Sequence, residues 1–235
     1  MADQITRRGF FKVTGGTALA CGAVSVADLF GQSPKPAFAA AQEVKARAFK
    51  CGVLKTQTQY MLKDTRVGTP MDIPVTFFVI GHGKDWVAFD TGNNAMVAKD
   101  PVAYWGEPVT KAYYPVMKDF EEFQVQVNKL GLKPKDFKAV ILSHGHLDHA
   151  GAIDNFKGTD VPIYLQQKEL ELIKEAVASG KRTAYIPDDF KVIGELNIKP
   201  INGVFDVFGD RTVVAFPTPG HTPGLQERSN PTGGR

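Results

Sequence analysis

Residues 143–149 place three histidines and one aspartate directly after a short apolar run, an arrangement that few folds accommodate. The apolar run at 137–142 is typical of a buried strand. Functional sites of α/β proteins are commonly built where strands end. Crowding these side chains together for packing alone would be costly, because each buried polar group needs its own hydrogen-bond partner. The segment therefore predicts a metal site at the end of a strand.

The spacing within this segment indicates which side chains meet. Residues two apart in an extended segment point to the same side, so we expect His144 and His146 to converge on one ion. The turn that follows aims Asp148 and His149 at a neighbouring position. Imidazole and carboxylate groups are ligands that zinc prefers, although they do not distinguish zinc from manganese, iron or cobalt.

A further histidine, His221, follows another predicted strand, within a turn at 218–224 that is rich in glycine and proline. Such a turn is rigid and would hold the imidazole in place. We interpret His221 as the third nitrogen ligand, beside His144 and His146. Three protein ligands with one open position are typical of a catalytic rather than a structural zinc site.

Strand and helix patterns alternate from residue 44 onward without a repeat or a low-complexity linker, so we expect a single domain at 44–235. The patterns predict strands at 73–80, 86–90, 137–142, 161–165 and 211–216, and helices at 119–130 and 166–179. The first two strands would form a hairpin, whose turn contains His82, a residue that we expect to be mostly exposed. Interleaving of this kind predicts a layered α/β fold with helices packed over sheets.

Residues 1–41 resemble a bacterial export signal. The segment contains the arginine pair Arg7 and Arg8, then a short run rich in glycine and alanine, and it ends in small residues. This order of features predicts a signal peptide of the twin-arginine type, and hence passage through the twin-arginine export machinery to the periplasm or the exterior. The apolar run is too short and too rich in glycine to be a permanent membrane anchor.

Charge and cysteine content exclude two further classes of protein. The 28 basic residues against 25 acidic ones leave a net charge of +3, which is too even for a dedicated nucleic-acid binder. Of the two cysteines, Cys21 lies in the predicted signal peptide. Cys51 alone would remain, so no internal disulfide is expected, and we interpret it as a small buried apolar residue.

The motif H-x-H-x-D-H at 144–149 identifies the chain as a member of the metallo-β-lactamase superfamily of metal hydrolases. Segments 89–92 and 219–224 resemble two further motifs of that family, in the same order. Within the family, the first of these segments followed by 100–106 looks most like the branch of N-acyl homoserine lactone lactonases. The resemblance covers about residues 73–224.

The resemblance implies a four-layer αβ/βα sandwich with metals at the sheet edge. It implies that one metal is bound by His144, His146 and His221. A second metal would be bound by Asp148 and His149. Asp90 would hold the motif loop in place through hydrogen bonds.

The resemblance also implies an activity, the hydrolytic opening of a lactone ring. A metal of this kind lowers the pKa of bound water, so that a hydroxide attacks the lactone carbonyl near neutral pH. Asp148 would pass a proton to the leaving alkoxide. The substrate would be a small lactone or related acyl compound, and in bacteria the reaction would quench acyl-lactone signals.

The end of the chain departs from the family pattern. Family members continue past the third histidine and supply a bridging aspartate and a further histidine. Here neither residue type follows His221, and the tail at 225–235 is polar with no strand pattern. We therefore expect missing C-terminal strands, an incomplete second metal site and weak activity.

Two alternatives to an active lactonase remain open from the sequence. The first is a truncated, catalytically weak or inactive metal-binding relic. The second is a thioester or β-lactam hydrolase of the same superfamily. The sequence does not indicate an oligomeric state.

Overall fold

The structure, a computed structural model, describes residues 43–63 and 65–229. The predicted signal peptide lies outside these ranges and stays a prediction. Within them, no helix has the length and apolar character that crossing a membrane requires.

Ten strands and five α-helices make up the described part of the chain. The strands are β1 (Val44–Gln57), β2 (Pro70–His82), β3 (Asp85–Phe89), β4 (Tyr114–Val116), β5 (Ala139–Ile141), β6 (Pro162–Gln166), β7 (Asn197–Ile201), β8 (Phe205–Asp206), β9 (Val214–Pro217) and β10 (Gln226–Ser229). The helices are α1 (Met96–Lys99), α2 (Pro101–Trp105), α3 (Glu107–Ala112), α4 (Phe123–Asn128) and α5 (Gln167–Ser179).

The strands form two sheets. The larger sheet has seven strands in the order β4-β1-β2-β3-β5-β6-β7, and the smaller has three in the order β10-β9-β8. Strands β1 to β3 pair antiparallel, whereas β3, β5, β6 and β7 pair parallel. Parallel strands are buried on both faces, which explains why every residue of β5 is buried. The predicted layered α/β fold is confirmed.

Two apolar cores hold these layers together. One joins the large sheet to the helices and includes Phe77, Val79, Trp105, Val127, Val140 and Ile173. The other lies between the sheets, where Ile80, Val87, Ala139 and Ile141 of the large sheet pack against Val213 and Ala215. Alternating residues of β2 therefore serve opposite cores, as the two-residue period of a strand requires.

The expectation that the tail at 225–235 has no strand is wrong for its first part, because Gln226–Ser229 forms β10 and pairs with β9. Gln226 is fully buried, and its side chain donates to the Leu142 carbonyl at 2.8 Å. Its backbone N–H donates to the Ser143 carbonyl at 3.0 Å. Hydrogen bonds hold this strand in place. Its residues are polar and do not alternate with apolar ones, so no strand could be predicted here from the sequence.

The predicted helix at 119–130 is only partly correct. Asp119–Glu121 is a 3₁₀ turn and α4 covers Phe123–Asn128, because Glu122 between them has extended backbone with ψ of 145°. Phe120 is 55% exposed instead of joining the buried face. Its ring faces the ammonium group of Lys118 at 5.5 Å.

His82, expected to be mostly exposed, is instead largely covered. Its side chain is 11% exposed, and its ring stacks on Phe208 with centroids 3.9 Å apart. Its Nε2 lies 2.7 Å from Asp210 Oδ2. Residues near the small sheet cover the hairpin turn, and local turn chemistry could not predict that contact. Cys51 is fully buried, as predicted.

Candidate metal centre

Two loops at strand ends carry the predicted site residues. The first follows β5, where the segment 143–149 leaves the centre of the large sheet. Its turn is closed by the N–H groups of His149 and Ala150, which both donate to the His146 carbonyl at 3.0 and 2.9 Å. The second loop joins β9 to β10 and carries His221. The buried sheet therefore brings together residues that are far apart in the sequence.

His144, His146 and His221 form the compact group that we call the histidine triad. Their potential ligand atoms all lie within 4.8 Å of one another. His221 Nε2 is 3.1 Å from His146 Nδ1. Two nitrogens on one tetrahedral zinc, with bonds of about 2.0–2.1 Å, would be about 3.3 Å apart. The spacing of the triad therefore suits a shared ion.

The hydrogen bonding of His144 leaves one nitrogen available to an ion. Its Nδ1 lies 2.9 Å from Ser143 Oγ. Its Nε2 is buried and has no hydrogen-bond partner among the described residues. A buried polar atom without a partner is costly, and a cation in the triad would satisfy it. The donor set and this unpaired nitrogen together fit a metal ion.

The pKa values of two triad histidines favour the form that binds metal. Burial, followed by the neighbouring histidines, lowers the pKa of His144 well below its usual range. Burial, followed by His221, lowers the pKa of His146 to about 4. Both imidazoles are therefore neutral near pH 7 in the absence of a metal, and neutral imidazole is the ligand form.

Asp148 and His149 lie beside the triad as a pair. His149 Nε2 is 3.6 Å from Asp148 Oδ2, and the His149 and His144 ring centroids are 4.1 Å apart. Burial lowers the pKa of His149, but the carboxylates of Asp148 and Asp90 outweigh it and raise the pKa to about 9. Near pH 7 the metal-free protein therefore holds His149 protonated, and the ring would release that proton if it joined Asp148 as a metal donor.

Asp90, directly after β3, hydrogen-bonds to the loop that carries His144 and His149. Its side chain accepts from the Ser143 N–H at 2.7 Å, from Ser143 Oγ at 2.8 Å and from His149 Nδ1 at 2.8 Å. It is 3% exposed and has a positive φ of 60°, which the tight exit from the strand requires. Asp90 thereby orients His149 so that Nε2 points away from it.

We expect Asp90→Asn to weaken zinc binding by about 10–100-fold, the usual effect of changing a group that orients a metal ligand. An amide nitrogen would face Ser143 Oγ and His149 Nδ1, where the structure has an acceptor. The measurement is zinc affinity by competition with a chromophoric chelator. Asp72→Asn is the control, because that carboxylate is exposed and pairs with the exposed Lys55. Equal zinc affinities in the two variants would contradict the role of Asp90.

An apolar wall stands next to the two loops. It is formed by Leu54, Tyr60, Met61, Ile73 and Tyr113, and it shares one pocket with the His146, Asp148, His149 and His221 side chains. The sequence did not reveal this wall, because its residues come from β1, from the turn after it, from β2 and from the end of α3. The pocket combines a polar, ligand-bearing end with an apolar side.

Sequence reasoning also missed Glu169 in the first turn of α5. Its side chain is fully buried and hydrogen-bonds to both loops that carry the triad. A glutamate near the start of a helix is ordinarily exposed, so no local signal distinguished it.

Fold and site together define a layered α/β protein whose strand ends gather three histidines suited to a metal ion. Residues 71–227 match the model of the metallo-β-lactamase superfamily. The chain belongs to that superfamily.

Sequence relatives lie in the lactonase branch that the motifs indicated. The N-acyl homoserine lactonase AttM of Azorhizobium caulinodans is 34% identical over 187 residues, which cover 78% of this chain and 70% of the relative. AttM of Agrobacterium fabrum is 34% identical over 188 residues, with the same coverage. The predicted resemblance to lactonases is therefore confirmed.

Solved structures support the same fold. An N-acyl homoserine lactone hydrolase with N-hexanoyl-L-homoserine bound at its catalytic metal center superposes with a TM-score of 0.68 and 24% identity, covering 80% of this chain and 70% of that one. The predicted metallo-β-lactamase fold is thereby confirmed.

Proposed function

We propose that this protein is a metal-dependent hydrolase that opens lactone rings, with N-acyl homoserine lactones as its substrate class. The observation that carries the proposal is the convergence of His146 and His221, whose ring nitrogens lie 3.1 Å apart although 75 residues separate them. The lactonase relatives, at 34% identity, favour this activity over an inactive relic and over thioester or β-lactam hydrolysis.

The histidine triad would hold one zinc ion, and manganese, iron or cobalt would find the same donors. Asp148 and His149 would contribute two donors toward a second ion. A bound zinc ion supplies a Lewis acid and lowers the pKa of water, which is the chemistry that lactone hydrolysis needs.

Asp148 is the residue of the chain that we assign to proton transfer. Its side chain lines the pocket and is 19% exposed, so it can meet a bound substrate. A carboxylate oxygen there would take a proton from the attacking water and pass it to the alkoxide that leaves when the ring opens. On the other side of Asp148, His149 Nε2 lies 3.6 Å from its Oδ2, while His149 Nδ1 contacts Asp90 at 2.8 Å.

The pocket suits a substrate with a polar head and an apolar tail. The lactone ring would lie against the triad and Asp148, while the acyl chain would cover the wall that includes Tyr60, Met61 and Tyr113. Burying an acyl chain stabilises the complex by about 0.8 kcal/mol for each methylene group removed from water. Lactones with longer acyl chains should therefore bind more tightly until the wall is covered.

The proposal is tested by following acid release from N-hexanoyl homoserine lactone with the zinc-loaded protein and with the same protein after chelation. We expect turnover only with the metal, and one tightly held zinc per chain. A β-lactam and a thioester are assayed in parallel. Turnover of either without lactone turnover would replace the proposed substrate class, and a zinc-loaded protein inactive on all three would support the relic.

A further inference from the structure

Glu169 has an environment that its sequence position does not predict. It lies in the first turn of α5, and its relative exposure is 0%, so the carboxylate is shielded from water. Three donors satisfy the carboxylate. Oε1 accepts from the Gly145 N–H at 2.8 Å and from the Tyr185 hydroxyl at 2.7 Å, and Oε2 accepts from Thr222 Oγ1 at 2.7 Å.

Two of these donors come from the two loops of the metal centre, and the third, Tyr185, comes from the segment after α5. Gly145 lies between His144 and His146, and Thr222 directly follows His221. One carboxylate therefore spans the two segments whose separation sets the distance between the triad nitrogens.

The packing around the carboxylate leaves little freedom to either loop. A Cβ on Gly224 would lie 2.4 Å from the Glu169 backbone nitrogen, and one on Gly145 would lie 2.7 Å from Ile173. The Tyr185 ring meets the His146 ring edge-on, with centroids 4.7 Å apart. Both loops therefore pack closely against the first half of α5, and Glu169 hydrogen-bonds to each of them.

We propose that Glu169 is a positioning residue that sets the metal affinity of the histidine triad by tying the His221 loop to the His144–His146 loop. The inference rests on the proposed metal-dependent function. Groups that orient metal ligands from behind commonly change metal affinity by about 10–100-fold when they are altered. Glu169 would act one step further back, through the backbone of both loops.

The test compares zinc affinity and stability in the full chain. Thr222→Val keeps the side-chain shape but removes the hydrogen bond to Glu169 Oε2, so we expect the zinc dissociation constant to rise about tenfold. Thr110→Val is the matched control, because Thr110 is also buried and donates to the Gly106 carbonyl at 3.0 Å, in α3. Urea unfolding of the metal-free chains should show a similar loss of stability in both variants.

Glu169→Gln tests whether hydrogen bonding or charge is responsible. Its amide oxygen can still accept from Gly145 and Tyr185, and the Thr222 hydroxyl can accept from its amide nitrogen. We expect this variant to stay within about threefold of the wild-type zinc affinity, far less than the effect of changing a ligand-orienting group. A loss of zinc affinity as large as that in Thr222→Val would show that the charge of Glu169 is needed. It would overturn the inference that hydrogen bonds from Glu169 to the two loops set the metal affinity.

Wild-type zinc affinity in Thr222→Val would also overturn the inference, since the loop would then be positioned without Glu169. His146→Ala separates this result from failure of the proposed function. If wild type binds zinc no better than His146→Ala, the triad is not the metal site, and the proposed function falls together with this inference. If wild type binds through the triad and Thr222→Val binds equally well, only the role of Glu169 falls.

Discussion

His146→Ala should reduce lactone turnover by about a thousandfold or more, equivalent to about 4 kcal/mol of transition-state stabilisation. The variant removes one of the three triad nitrogens and leaves His221 Nε2 without its neighbour at 3.1 Å. Two nitrogen ligands do not complete the three-ligand set of a catalytic zinc site, so the metal and the chemistry it supplies should be lost together. Initial rates of acid release at saturating zinc measure the effect.

His82→Ala is the matched control for this prediction. His82 lies against Phe208 and Asp210, outside the pocket that contains the triad. The His82→Ala variant should be less stable than the wild type but should keep its zinc stoichiometry and its lactone turnover. Equal rates in His146→Ala and wild type, with zinc supplied to both, would remove the hydrolase proposal.

Gly151→Ala should destabilise the fold by about 3 kcal/mol or more, at the upper end of the range for overpacking. An added Cβ would lie 2.5 Å from the Leu147 carbonyl oxygen, 2.6 Å from the Asn94 nitrogen and 2.8 Å from the Gly92 carbonyl oxygen. All three are backbone atoms, so no side chain can move aside.

The contact at Gly151 joins the loop after β5 to the loop after β3. The Asn94 side chain donates to the Gly151 carbonyl at 2.8 Å, and the Thr91 N–H donates to the His149 carbonyl at 2.7 Å. Forcing these loops apart should therefore lower zinc affinity as well as stability.

Urea unfolding of the metal-free protein measures this effect. Gly194→Ala is the control, because an added Cβ there meets no atom within 4 Å. We expect a change of no more than about 0.5 kcal/mol in that variant, as for ordinary surface substitutions. Equal unfolding midpoints for the two variants would show that the loops can separate without cost.

Most elements with strong apolar patterns could be predicted from the sequence. The helix expected at 166–179 is α5, Gln167–Ser179, and the buried run at 137–142 contains β5. The long strand β1, Val44–Gln57, was not predicted, because its first half is mostly exposed and its pairing with β2 shifts between Lys50 and Val53. Strands of this kind are specified by their neighbours more than by their own pattern.

The same distinction applies to the candidate site. The placement of His144, His146, Asp148 and His149 in one loop follows from spacing over six residues, which the sequence alone determines. The sequence also predicted His221 as a ligand and Asp90 as a support for the loop, but the contacts that they make came from the tertiary structure. The tertiary structure alone decided that Glu169 hydrogen-bonds to both loops and that polar Gln226 belongs to a strand. The physical reason for this difference is the distance along the chain over which each effect acts. Backbone periodicity relates residues a few positions apart, whereas strand order and core packing bring together loops that are far apart in the sequence.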